Sequence, residues 1–455
     1  MQAPRNYVQI SCVVTPTSKR LLSSPHSKGR AQAQVCTDHV TRTDTVIKTG
    51  MLSQLGIAAG LLLALTASAS GGAVPAGQYA TSGDCDGFPR TDLKAAPGLC
   101  VGLVATHLGF ARGVVALGMD IYLADMGGWH KKRGRILRLP QSGRGKPQVV
   151  LSGLDEPNGL APGPGGSLYI GVLGKVIRFD PKAADPAGSV RGVVTGLPDS
   201  GRHPLAALAV AADGALFINV GSATDHCEKA DGSAPDAAQP CPETVAATPR
   251  GTILRVVPGD TAVDAGAVKP YASGLRNSMA LAVLPGGQLL AASNARDYIN
   301  RADPALSDED LPHEPLNRIE QGADYGWPYC YDDRLSSPEY PKADCAAKHP
   351  PALLLPPHAA PLGLLLYRGK GLPGLDGRLL ITYHGYRAKG HRIVSLALDG
   401  QGKPQGQPED VVAGWDYTEG AHPQGSPVSV WQMDDGSVLI SEDHNGSLLR
   451  LAKAH

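Results

Sequence analysis

The sequence predicts an all-β six-bladed β-propeller, and three observations carry the prediction. The chain has 56 glycines and 38 prolines among 455 residues and few aromatics, so much of it is turn between short elements. No long stretch keeps the apolar period of a helix. A strand–turn–strand unit recurs six times between Ala111 and Leu451.

The first unit runs from Ala111 to Leu139, with DIYLADMGGW and GRILRLP, and the second from Asn158 to Asp180, with GGSLYIGVLGKVIRFD. The third, Ala206 to Val257, carries DGALFINVG and GTILRVVP; the fourth, Met279 to Glu320, carries GGQLLAASN and LNRIEQG. The fifth, Gly363 to Leu398, holds DGRLLITYHG and HRIVSLALDG, and the sixth, Ser429 to Leu451, holds DGSVLISED and GSLLRLA. Each strand alternates or is apolar over four to six residues and is bounded by Gly, Asp or Pro. Six units over about 350 residues leave ~58 residues each, room for four-stranded blades with insertions. One such sheet cannot bury both faces, whereas radial packing buries them and protects the edges. A β-sandwich or β-helix is the competing arrangement; the unit count and the absence of a fixed short period argue against both.

Ahead of the units, residues 70–105 read as an irregular N-terminal segment, and the propeller is placed at 106–455. Residues 51–69 resemble an export signal, with an apolar core and Ala67-Ser68-Ala69 as a small-residue cleavage site. Residues 1–50 read as an over-extended start, with initiation at or just before Met51. Beyond residue 69 the chain carries 35 basic and 40 acidic residues. That balance points to neither nucleic acid nor an anionic membrane surface. A periplasmic or secreted protein with no stable membrane span in its mature chain is expected. Cysteine usage agrees: Cys85/Cys100, Cys227/Cys241 and Cys330/Cys345 fall as three local pairs separated by 15, 14 and 15 residues. Local disulfides are expected, and no Cys-x-x-Cys spacing suggests a metal instead.

Propeller chemistry belongs on the loops at one end of the channel. Gly201-Arg202-His203-Pro204 puts an imidazole just before a strand, a residue type suited to general-base work. A surface-loop histidine fits the same pattern. Leu275-Arg276-Asn277 sets a guanidinium beside an amide, a pair able to clasp a carboxylate or quinone oxygen. A structural arginine bonding carbonyls fits equally well. Asn294-Ala295-Arg296-Asp297 opens a long polar loop whose backbone carbonyls suit a hard cation such as calcium. The acidic run Asp308-Glu309-Asp310 further along reads as a solvated rim. The loop ends in Gly322 to Cys330, where Trp327 is expected to pack and Cys330 to pair with Cys345.

Taken in order, RHPLAALAVAADGALFINVGS (202–222), SGLRNSMALAV (273–283), LNRIEQGADYGWPYC (316–330), APLGLLLYRGKGLP (360–373) and GSVLISEDHNGSLLRL (436–451) resemble the soluble, pyrroloquinoline-quinone (PQQ)-dependent glucose/sorbosone dehydrogenases. HCE (226–228) and GWPYC lean toward the sorbosone-dehydrogenase-like branch. The resemblance implies PQQ beside Ca2+ at the channel end, a sugar or aldehyde substrate, an unidentified external electron acceptor, and hydride transfer to the quinone. It implies His203 as base and Arg276, Asn277 and Asn294 as cofactor contacts. Ala295 and Arg296 would hold calcium through backbone carbonyls. His384 stands where the family has a polar or basic cofactor contact, a role Arg387 or Lys389 could share. One departure is Ser426, where many members have an arginine for the cofactor carboxylates. A charge-assisted bond lost there costs ~1.5–3 kcal/mol. Two other readings stay open: a non-catalytic ligand-binding propeller, and a lactonase-type hydrolase whose axial cation would draw on Glu314, Asn317, Asp297 and Asn158.

Overall fold

The computed structural model describes residues 79–454, apart from 144, 386 and 417–424. The leader, the signal-like stretch, Cys12 and Cys36 lie outside these residues. The described chain is a six-bladed β-propeller.

Turn chemistry repeats from blade to blade. In Asp213-Gly214-Ala215 the aspartate Oδ1 accepts the Ala215 N–H at 3.1 Å, and Gly214 takes φ 81°. Asp435-Gly436-Ser437 does the same at 2.9 Å, with Gly436 at φ 85°. A positive φ costs a glycine nothing, so each Asp-Gly pair folds one strand back on the next.

Blade 1 comprises Ala111–Leu117, Asp120–Asp125, Gly134–Pro140 and Gln148–Leu154. Blade 2 comprises Leu160–Pro162, Leu168–Val172, Lys175–Phe179 and Arg191–Thr195, with Val263–Asp264 added in parallel at its edge. Blade 3 has Leu208–Val210, Leu216–Val220 and Thr252–Val256; blade 4 has Ala280–Val283, Leu289–Ala292, Glu314–Ile319 and Leu353–Leu355. Blade 5 has Pro361–Leu366, Arg378–Tyr383, Arg392–Leu398 and Pro404–Ala413, and blade 6 begins with Pro427–Gln432, Val438–Glu442 and Ser447–Lys453. The first strand of each blade touches the first strand of the next, and the contacts run round to blade 1 again.

Residues 81–105, read above as irregular, form four strands and close the ring. Leu99–Ala105 pairs antiparallel with Ser447–Lys453, Phe88–Thr91 and Thr81–Cys85 extend that sheet, and Lys94–Ala95 adds to the outer edge of blade 5. Their short runs carry no clear alternation. The open edges of blades 6 and 5 make them strands.

The apolar cores lie between blades. Val115, Tyr122, Leu168 and Phe179 fill the space between blades 1 and 2, and Leu216, Ile218 and Leu254 pack against Tyr169 and Val176 between blades 2 and 3. Four further clusters fill the remaining gaps round the ring. The three expected disulfides are present, Cys85–Cys100, Cys227–Cys241 and Cys330–Cys345.

Candidate active site

Loops entering the first strand of a blade, and loops leaving its second strand, all open at one end of the ring. His203, Arg276 and Asn277 lie on entering loops of blades 3 and 4, while Asn294 to Arg296 and His384 follow the second strands of blades 4 and 5. The topology thus brings the sequence-predicted residues to a common mouth.

His203 and Asn277 meet across Gly221. A Cβ on that glycine would fall 2.6 Å from the His203 Cβ and 2.9 Å from the Asn277 Oδ1, so the close approach requires glycine. The half-buried His203 ring has Nδ1 at 3.2 Å from the Ser222 carbonyl and 2.9 Å from the Ser222 Oγ. A carbonyl only accepts, so Nδ1 carries the proton. The Ser222 hydroxyl spends its own proton on the Thr224 carbonyl, 2.7 Å away, and is left to accept. Nε2 therefore holds a free lone pair. Burial, and then the Arg276 charge, hold the imidazole well below its ordinary pKa and keep it neutral.

Arg276 is the hub of the blade 3–4 side. Its Nε donates to the Asp225 carbonyl at 3.0 Å, a terminal nitrogen to the Asp225 carboxylate at 2.5 Å, and the other to the Asn294 carbonyl at 3.0 Å. Burial raises the Asp225 pKa, but the guanidinium outweighs it and holds the carboxyl far below its usual range. Asn277 receives Asn219 Nδ2 at 3.2 Å and donates to Asn294 Oδ1 at 3.2 Å, and Asn294 passes the chain on to the Pro361 carbonyl at 3.0 Å. Behind the mouth, Arg296 pairs with Glu339 at 2.5 Å, and the Trp327 indole donates to the Asp225 carbonyl at 3.1 Å.

The opposite side is built from blades 5, 6 and 1. His384 Nε2 lies 3.0 Å from Asp443, which also receives Arg112 at 2.7 Å; Arg112 in turn donates to Asn158 at 2.8 Å. Burial raises the Asp443 pKa, yet the His384 and Arg112 charges hold it low. Ser426 is buried: its N–H donates to Glu442 at 3.1 Å and its hydroxyl lies 2.8 Å from His391 Nδ1. A carboxylate thus stands beside the position where the resemblance implies an arginine. Burial, with the neighbouring Asp443 charge, pushes Glu442 up to about 8.

Three expectations are modified. Asp308 is no solvated rim: it accepts the Ile299 N–H and binds Arg387 at 2.6 Å, strapping the blade 4 loop to blade 5. Glu309 beside it is exposed. Arg387 is engaged by Asp308 and Glu309, while Lys389 on the same loop is exposed. Three of the four residues weighed for an axial cation are engaged elsewhere: Glu314 accepts the Ala295 and Ala360 N–H groups, Asn158 bonds Arg112 and the Ala206 carbonyl, and Asp297 faces His358 at 3.3 Å. The Asn317 Nδ2 is buried with no hydrogen-bond partner among the described residues. Cys227, Cys241 and Glu243 lie close together, but both sulfurs are spent in the disulfide.

Ser222, Asp225, Glu339, Arg112 and Asp443 escaped the sequence reading. Asp225 adjoins the HCE motif, so proximity was a usable signal. Arg112 and Asp443 stand 331 positions apart and meet only because the ring closes.

A profile of the glucose/sorbosone dehydrogenases matches residues 176–450. The chain belongs to the glucose/sorbosone dehydrogenase family. Solved structures share its fold. A Trichoderma reesei carbohydrate-active enzyme of family AA12 is 20% identical, covering 82% of this chain and 100% of that one with a TM-score of 0.66. The PQQ domain of a Coprinopsis cinerea pyranose dehydrogenase, in its holo form, is 19% identical over 81% of this chain and 99% of that one, TM-score 0.62. A PQQ-bound aldose sugar dehydrogenase from Streptomyces coelicolor is 18% identical over 79% and 99%, TM-score 0.54. An uncharacterized protein of Borreliella burgdorferi is 26% identical over 189 residues, 40% of this chain; the match spans about half, 48%, of that protein's length.

Two sets of atoms at the mouth are left for a ligand. Among the described residues no donor bonds the Ala295 or Arg296 carbonyl, which leaves two adjacent oxygens for a hard cation. His384 Nδ1 is buried and has no partner among the described residues, so it remains for an acidic ligand.

Proposed function

We propose that this family member is an exported, PQQ-dependent dehydrogenase of the sorbosone-type branch that oxidises an aldose or related sugar aldehyde. The observation that carries the reading is the fixed tautomer of His203. A neutral imidazole with a bare Nε2, beside Arg276 and Asn277, is the arrangement a general base requires.

Nε2 takes the proton from the sugar hydroxyl, and the Nδ1–H bonds to Ser222 hold the ring in place as it becomes imidazolium. Arg276 and Asn277 would orient the quinone, the Ala295 and Arg296 carbonyls would hold calcium, and the His384 Nδ1 would donate to a cofactor carboxylate. When bound, the quinone would supply the electron sink for the hydride leaving the sugar C1. The signal-like stretch and the three disulfides support an oxidising compartment. Among the described residues no helix is long and apolar enough to cross a membrane.

The test is reconstitution of the purified chain with PQQ and calcium, followed by reduction of an artificial electron acceptor across a sugar panel. Turnover with at least one sugar is expected, and His203→Gln should lower it about 10²–10⁴-fold while quinone binding persists. No turnover, together with no quinone binding in an absorbance titration, would sink the proposal. Quinone binding without turnover would instead support a ligand-binding propeller.

A further inference from the structure

The buried carboxylate of Glu314 has no role in the chemistry just described, yet it lies directly behind the Asn294–Arg296 turn. Glu314 opens the third strand of blade 4 and is 3% exposed. One oxygen accepts the Ala295 N–H at 2.5 Å and the other accepts the Ala360 N–H at 3.2 Å. Ala360 has φ 45°, a conformation disfavoured for a residue with a side chain, and immediately precedes Pro361. The Pro361 carbonyl accepts from Asn294, the residue that begins the turn. A single carboxylate therefore fixes two loops, from blades 4 and 5, that meet at Asn294. Among the described residues it makes no ion pair: its direct partners are two peptide N–H groups, and the Arg276 charge acts on it only from a distance.

The peptide dipole ties this arrangement to a cation. A carboxylate accepting the Ala295 N–H polarises the Asn294–Ala295 peptide, whose carbonyl Arg276 takes, and fixes the plane of the turn. The turn then presents its next two carbonyls in a defined direction. An outer partner of this kind orients metal ligands, and its loss typically costs 10–100-fold in metal affinity.

We infer that Glu314 is a positioning residue for a divalent cation held by the Ala295–Arg296 carbonyls, acting through the Ala295 N–H rather than by coordination. The inference rests on the calcium assignment made under the proposed function. It adds a residue that touches neither substrate, quinone nor metal.

The experiment is calorimetric titration of the purified, quinone-free chain with calcium alone, on wild type, Glu314→Gln and Glu314→Asp, with thermal unfolding in chelator and in calcium. Gln keeps the shape but loses the charge and sets an NH2 against one of the two N–H donors. Wild type should bind calcium, Glu314→Gln at least tenfold more weakly, with a smaller calcium-induced rise in Tm and an unchanged or higher Tm in chelator. Glu314→Asp keeps the charge, reaches the two N–H groups less well and should fall between them; it carries the test if the Gln variant does not fold. Calcium affinities within twofold across the three proteins would overturn the inference and leave the calcium site standing. No calcium binding by wild type would overturn the site and the inference together.

Discussion

On the blade 3–4 side of the mouth, ion pairs between loops join Arg276 to Asp225 and Arg296 to Glu339, while Glu314 bonds peptide N–H groups and is pushed by burial up to about 7. On the blade 5–6–1 side, Asp443 shares Arg112 and His384, while Glu442 is fully buried, accepting from the Ser426, His444 and Asn445 N–H groups and the Tyr79 hydroxyl, with no cation bonded to it among the described residues. The first side is braced by two disulfide-closed loops, with the Tyr329 hydroxyl accepting the Cys241 N–H at 2.8 Å. The second carries no disulfide among its described loops. The comparison teaches that a buried acid at this mouth is either clamped by arginine and held ionised, or left to peptide dipoles and pushed toward its neutral form.

Breaking the first side should cost most. Asp225→Ala leaves the buried Arg276 guanidinium without its counter-ion and also frees the Asp297 N–H, which donates to Asp225 at 3.1 Å. An orphaned buried charge destabilises by about 3–5 kcal/mol, to be read from urea unfolding of the purified chain. A loss under 1 kcal/mol would mean that solvent reaches Arg276 and that the side is not dry.

A smaller effect separates the two sides by pH. The folded-state pKa of Glu442 is raised from 4.5 to about 8, so the folded chain holds a proton that the unfolded chain has released. That contribution is fully present below pH 4.5 and is lost as pH rises toward 8. Asp225 behaves oppositely: its depressed pKa gives stability present above 3.8 and lost as pH falls below it. Glu442→Gln should therefore gain about 1–2 kcal/mol over wild type at alkaline pH and nothing at acid pH. Parallel stability–pH curves for the two proteins would contradict the raised pKa.

The smallest effect is expected at Lys389. It is exposed and takes part in none of the ion pairs described, so Lys389→Ala should change stability by less than about 0.5 kcal/mol. Quinone affinity should stay within about threefold, leaving His384 as the contact on that side. A tenfold loss in an absorbance titration would restore Lys389 to the cofactor set.

Local signals were strong wherever the chemistry was local. The Asp-Gly turns, the apolar strand runs and the 14- and 15-residue cysteine separations each lie within one unit, and each is found as the spacing predicts. The strands at 81–105 were illegible because their pattern is weak and their partner lies at the other end of the chain. The site divides in the same way. His203, Arg276, Asn277 and Asn294 stand out as polar residues at blade entries and exits. The residues that set their chemistry, Ser222, Asp225 and Asp443, are ordinary polar residues in sequence.

By itself, the sequence determined the repeating unit, the number of blades and the loops that carry polar residues, because turn geometry and strand alternation depend on near neighbours. Closure of the ring decided the rest. It brought Arg112 to Asp443, while the packing of blade 4 against blade 5 gave Glu314 two N–H groups from separate loops. Which carboxylates stay charged depends on water and partners lost or gained in packing, and those are properties of the folded space around each group.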